Sequence, residues 1–110
     1  MNDRITKKVV VDAGHGGSDP GASSADVIEK EYNLKIANYI YNRLKELGIP
    51  TYITRSTDET ITPTDRVNRI LNAFGNSNDV IVLSNHLNAG GERFTYHYKF
   101  NWVFRWLYLD

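Results

Sequence analysis

Along this chain the spacing of apolar positions alternates between two regimes, and each change marks an element. Lys8 to Ala13 (KVVVDA) is a short β-branched run, which predicts a buried, parallel strand, the kind covered on both faces. From Gly14 to about Ala25 glycine and proline recur (Gly14, Gly16, Gly17, Pro20, Gly21), which predicts an irregular loop. Helical spacing follows from about Val27 to Leu47, with Ile36, Ala37, Ile40, Tyr41, Leu44 and Leu47 three or four residues apart. Asp26 is the expected N-cap, Glu29 stands three residues on in a capping-box relation, and Gly48 ends the helix. Pro50 to Arg55 (PTYITR) predicts a second strand. Thr62, Pro63 and Asp65 then form a helix start: a hydroxyl cap, proline at the first position and a carboxylate in the first turn. Val67, Ile70, Leu71 and Phe74 are the expected buried stripe of that helix, and Gly75 its stop. Asp79 to Ser84 (DVIVLS) predicts a third strand.

Strand, helix, strand, helix, strand with short connections predicts an α/β fold. Its expected form is three-layered, a mainly parallel sheet with flanking helices and right-handed crossovers. From Glu92 onward the period becomes two: Phe94, Tyr96, Tyr98, Phe100, Trp102, Phe104, Trp106 and Tyr108 alternate with other residues. Eight of the 13 aromatic residues fall here, which predicts an extended strand or hairpin with one aromatic face. The chain therefore divides at Gly91, with 1–91 as the α/β unit and 92–110 as an aromatic tail. Such a stripe needs a partner surface, so an oligomer formed through the tail is one expectation.

Composition narrows the chemistry. Thirteen basic and 13 acidic residues cancel, so no global field points to nucleic acid or anionic lipid. Cysteine is absent, so any metal must be held by imidazole and carboxylate. The first eight residues lack the apolar run of a secretory signal, and no stretch approaches the roughly 20 apolar residues that span a bilayer. A soluble chain, cytoplasmic until released or exported by a non-standard route, is the corresponding expectation.

Three groups then stand out by position. His15 follows the first strand, Glu29 sits at the front of the first helix and His86 follows the third strand. In open α/β sheets ligands collect beyond the carboxyl ends of the strands, where both histidines are placed. Two imidazoles and one carboxylate make a catalytic zinc site that keeps a fourth position for water. The flanking glycines would let a substrate approach without side chains in the way. Each residue also has a plainer reading: an exposed loop histidine, a capping-box glutamate and a histidine satisfied at a strand end.

Val10-Val11-Asp12-Ala13-Gly14-His15-Gly16-Gly17-Ser18-Asp19-Pro20-Gly21-Ala22 resembles the opening motif of the zinc-dependent N-acetylmuramoyl-L-alanine amidases, which include enzymes of cell separation and phage endolysins. Glu29-Lys30-Glu31-Tyr32-Asn33-Leu34 is similar to the second motif, and Thr54-Arg55 with Asp58 and Asp65-Arg66 to the third. Ser84-Asn85-His86-Leu87-Asn88-Ala89 is similar to the block carrying the second histidine. The resemblance spans about residues 7 to 91. It implies His15, Glu29 and His86 as zinc ligands, Asn88 as a substrate contact, and Arg55 and Arg66 as structural residues. It implies peptidoglycan as substrate, acted on at the bacterial cell wall, and hydrolysis of the amide joining N-acetylmuramic acid to the L-alanine of the stem peptide.

The family's catalytic domain continues past the second histidine block and adds a second glutamate as general base. Here the aromatic tail follows instead, as a truncated or frame-shifted product would read. Glu92 is the nearest candidate base by sequence, with a surface-turn role as its plainer reading; Glu31 is expected to face solvent and His97 to pack or lie exposed. Two further functions stay beside the amidase: a catalytically impaired remnant that binds zinc or cell wall, and an interaction module using the tail.

Overall fold

The computed structural model describes residues 7–24 and 26–87; Asn88, Glu92, His97 and the aromatic tail lie outside them. In chain order its elements are β1 (Lys8–Ala13), β2 (Ser23–Ser24), β3 (Val27–Ile28), α1 (Glu29–Glu46), β4 (Thr51–Ile53), α2 (Pro63–Phe74) and β5 (Val80–Asn85). The β-branched run becomes the central strand, with β4 on one side and β5 on the other, both parallel to it. This is the parallel α/β sheet flanked by helices that the pattern predicts.

Alternation along β1 divides its side chains between two layers. Val9, Val11 and Ala13 pack with Ala37 of α1, backed by Ile40, Leu44, Ile49 and Ile53. Val10 and Asp12 point to the other face, where Arg66 of α2 reaches the Asp12 carboxylate at 2.7 Å. Val10, Val11 and Ala13 are fully buried, as expected for a strand covered on both sides.

The inner stripe of α1 runs Glu29, Asn33, Ala37, Ile40, Leu44, steps of three and four that share one face. It is apolar over the core and polar at its first turn, so the helix carries Glu29 and Asn33 into the interior at the carboxyl edge of the sheet.

Several boundaries differ from the pattern. The helix starts at Glu29, because Val27 and Ile28 pair with Ser24 and Ser23 in a small antiparallel hairpin. Asp26 is not the N-cap: Ile28 occupies that position in extended conformation and gives no side-chain hydrogen bond. The loop supplies acceptors instead, Ala22 O for the Glu29 N–H at 2.8 Å and Pro20 O for the Lys30 N–H at 3.0 Å. The helix N–H groups that a cap would serve are thus satisfied by tertiary carbonyls. Ile36 and Leu47, read as part of the apolar face, are exposed.

The second helix starts as expected, with Thr62 Oγ1 accepting the Asp65 N–H at 3.0 Å. Its stripe does not. Val67 and Leu71 are exposed, and with Ile70 they line an apolar groove against Val80 and Val82 of β5. Among the described residues nothing covers that groove. No helix among the described residues is long and apolar enough to cross a membrane.

Candidate metal centre

β1 ends by feeding the chain into the glycine loop, β5 ends beside it, and α1 begins opposite, so three separate elements bring His15, His86 and Glu29 together. One donor atom from each lies within 4.8 Å of the others. Glu29 Oε2 is 3.2 Å from His15 Nε2 and 3.2 Å from His86 Nδ1, and the two rings meet edge to face at 5.0 Å between centroids. A tetrahedral zinc ion with metal–ligand distances of about 2.0–2.1 Å holds neighbouring donors about 3.3 Å apart. The donor types and the two measured separations fit that ion.

Glu29 is not a capping-box residue. Its Oε1 accepts the Ala22 N–H at 2.9 Å, and its Oε2 accepts the Leu87 N–H at 3.0 Å and Asn33 Nδ2 at 3.2 Å. Burial alone would raise its pKa. The His86 contact, the Ala22 N–H, Asn33 and the neighbouring His15 overcome that and hold it at about 2, so the group is a carboxylate at every working pH.

The loop that carries His15 is held from below by two arginines. Arg55, almost fully buried, donates from Nε to His15 O at 2.6 Å and from one terminal nitrogen to Gly14 O at 2.9 Å and Lys30 O at 3.0 Å. Its other terminal nitrogen donates to Thr57 O. Burial and then the adjacent Arg66 charge lower its pKa, a cost that these carbonyl dipoles offset. Arg66 donates to Ala13 O at 2.7 Å and His15 O at 3.0 Å while paired with Asp12. Both arginines are therefore structural, as the sequence implies, and their shared target is the main chain of the loop. His15 itself has φ 62, in the left-handed region, and its carbonyl is the one both arginines grip.

Asp12 anchors the far side. Buried beneath the loop, it accepts from Arg66, Thr54 Oγ1 at 2.8 Å and Ser84 Oγ at 2.7 Å. Burial would raise its pKa, but the Arg66 charge and these hydrogen bonds outweigh it and the value is lowered.

Two of the glycines have a packing role at the donors. A Cβ on Gly14 would lie 2.4 Å from His86 Cε1, and one on Gly21 would lie 2.7 Å from both Glu29 Oε1 and His15 Cδ2. Their hydrogens make room for the three donor side chains themselves. Asn33, named in the sequence only as part of the second motif and given no role there, lies one turn after Glu29 on the same face and links Glu29 to Gly14 O. The i, i+4 spacing from Glu29 is the sequence signal for that role. Glu31 is exposed, as expected.

Comparison with known proteins follows the same lines. Residues 9–98 match the family model described as N-acetylmuramoyl-L-alanine amidase, a match that runs past Gly91 into the aromatic segment. The chain is 39% identical over 84 residues to the Bacillus subtilis protein YqiI, covering 76% of this chain and 39% of that one. It is 37% identical over 86 residues to the N-acetylmuramoyl-L-alanine amidase CwlM of Bacillus licheniformis, covering 76% of this chain and 32% of that protein. The crystal structure of an N-acetylmuramoyl-L-alanine amidase from Clostridium difficile 630 superposes with a TM-score of 0.69 at 32% identity, over 83% of this chain and 48% of that one. The chain thus spans about a third to a half of the length of these relatives.

Proposed function

The chain belongs to the N-acetylmuramoyl-L-alanine amidase family, and from that premise we propose that it is a zinc-dependent hydrolase of peptidoglycan. The bond it cuts is the amide between N-acetylmuramic acid and the L-alanine of the stem peptide, and its place of action is the bacterial cell wall. One observation carries this reading. A single ionised carboxylate oxygen sits 3.2 Å from a nitrogen of each of two imidazoles, at the carboxyl edge of a parallel sheet.

His15, Glu29 and His86 would hold the zinc, which when bound supplies Lewis acidity toward an amide carbonyl and toward water. The rest follows from this chain's own groups. The Ala22 and Leu87 N–H groups and Asn33 fix both oxygens of Glu29, so the carboxylate keeps its position without reorganising. Arg55 and Arg66 fix the backbone from Ala13 to His15 and so the first imidazole. Burial of Glu29 keeps water from competing for the donor set.

Asn88 as substrate contact and Glu92 as proton acceptor remain sequence expectations outside the described residues. The test is incubation of the full chain, loaded with zinc, with purified sacculi. Release of free stem peptides is the expected result; no release above a His15→Ala control would remove the activity from this chain.

A further inference from the structure

The loop between β1 and α1 holds a further carboxylate, Asp19, that is not one of the three clustered donors. Gly16 and Asp19 close a tight turn by two main-chain hydrogen bonds, Gly16 N–H to Asp19 O at 2.8 Å and Asp19 N–H to Gly16 O at 3.0 Å. The turn is pinned from outside. Asp58 accepts the Gly17 N–H at 2.8 Å, Thr60 Oγ1 accepts the Ser18 N–H at 2.9 Å, and Lys30 Nζ donates to Gly17 O at 2.8 Å. The Asp19 side chain is oriented in turn, its Oδ1 accepting the Gly21 N–H at 3.1 Å. Its Oδ2 then lies 2.9 Å from His15 Nδ1.

The opposite nitrogen of the same ring, Nε2, faces Glu29 Oε2 at 3.2 Å. A carboxylate can only accept, so a neutral His15 has one proton to give to two carboxylates, and the shorter contact, to Asp19, favours placing it on Nδ1. That choice leaves the Nε2 lone pair directed into the donor cluster. His86 is arranged the other way round, presenting Nδ1 to Glu29. To offer these nitrogens to one ion the two imidazoles would need opposite tautomers, and Asp19 favours the one required of His15.

We propose that Asp19 is a positioning residue for the metal site, fixing the tautomer and the ring angle of His15. This rests on the zinc reading above. Asp19 is exposed on its outer side, and water competes for its oxygens. What makes the contact persistent is the pinned turn, which sets the carboxylate in place before any metal arrives. His15 has a left-handed backbone, and its ring meets a carboxylate only four residues further along the same loop.

Two measurements on the full chain test this. The first uses metal-free protein and long-range proton–nitrogen correlation spectra of the histidine side chains at pH 8. The wild type should show His15 with its proton on Nδ1, and Asp19→Ala should shift it toward the Nε2–H form. A wild-type His15 with its proton on Nε2 would overturn the proposal without any variant. The second is zinc affinity by competition with a chromophoric chelator. Asp19→Ala should weaken it about 10–100-fold, with Asp19→Asn, which keeps an acceptor, in between. Asp19→Ala with a native circular dichroism spectrum and wild-type zinc affinity would also overturn it. A wild type that binds no zinc would instead refute the functional reading, and the tautomer result would stand by itself.

Discussion

Gly14→Ala replaces one hydrogen by a methyl group, and the structure says where that methyl goes. Its carbon would lie 2.4 Å from His86 Cε1 and 2.7 Å from both ring nitrogens, whereas ordinary contact begins near 3.4 Å. The ring must therefore retreat by about 1 Å. Gly14 is not among the residues with positive φ, so backbone strain contributes little and the clash is the perturbation. Metal–ligand distances tolerate about 0.2 Å, and the required shift is several times larger. His86 Nδ1 would leave its 3.2 Å station beside Glu29. The expected loss of zinc affinity is about 100-fold or more, which is about 2.8 kcal/mol at 1.4 kcal/mol per decade. The accompanying loss of fold stability from overpacking is about 1–3 kcal/mol. The assay is chelator competition, with thermal melting of the metal-free protein to follow the fold. Gly48→Ala is the control, since Gly48 has φ 80 but no atom within 4 Å of a Cβ. It should lose about 1–2 kcal/mol of stability and none of its zinc affinity. Wild-type zinc affinity in a folded Gly14→Ala protein would refute the reasoning. So would equal zinc loss in both variants, which would trace the effect to general destabilisation.

Asp12→Asn removes the buried charge that faces Arg66 and should cost about 3–5 kcal/mol, read from urea midpoints at pH 7. The same group gives a pH signature. Its folded pKa lies below the ordinary 3.8, so its contribution is present above that value and fades as pH falls through the folded one. Asp12→Asn should therefore flatten the acid limb of the stability profile, and an unchanged limb would contradict the assignment. Arg55→Lys keeps the charge but cannot reach Gly14, His15, Lys30 and Thr57 carbonyls together. It should lower both melting temperature and zinc affinity; a drop in the first alone would separate Arg55 from the site. Thr62→Ala loses the cap of α2 and should cost about 1 kcal/mol with zinc affinity unchanged.

The sheet was legible in the sequence because its strands are short apolar runs bounded by turn residues, and periodicity reports such runs directly. The helix stripes were less so. Ile36 and Leu47 have the right spacing yet face solvent, since the true inner stripe continues into Asn33 and Glu29, polar residues that a hydrophobic pattern omits. The cap at Asp26 failed for a related reason: the acceptors that replace it come from Pro20 and Ala22, on the main chain of a loop with no sequence signature for that role. Candidate site residues emerged from topology and resemblance together. The structural role of Arg55 and Arg66 came with the resemblance, but their targets did not, because carbonyl-directed contacts leave no trace in residue type. The glycines were visible, but the packing role of Gly14 and Gly21 was not, as a sequence shows that a side chain is missing and not which neighbour fills the space.

Glu29 and His86 are 57 positions apart, and β5, which delivers His86, is bonded on one side to β1. An ion shared between them would fasten the far end of the chain to its beginning. A permanent cross-link closing a loop of that length is worth about 4 kcal/mol by chain entropy, and a reversible one contributes a share set by free zinc. Metal occupancy and the docking of β5 then become one equilibrium. In zinc-poor solution the amide protons of Val80–Asn85 should exchange first, and the ion would serve as a clasp for the sheet as well as a reagent.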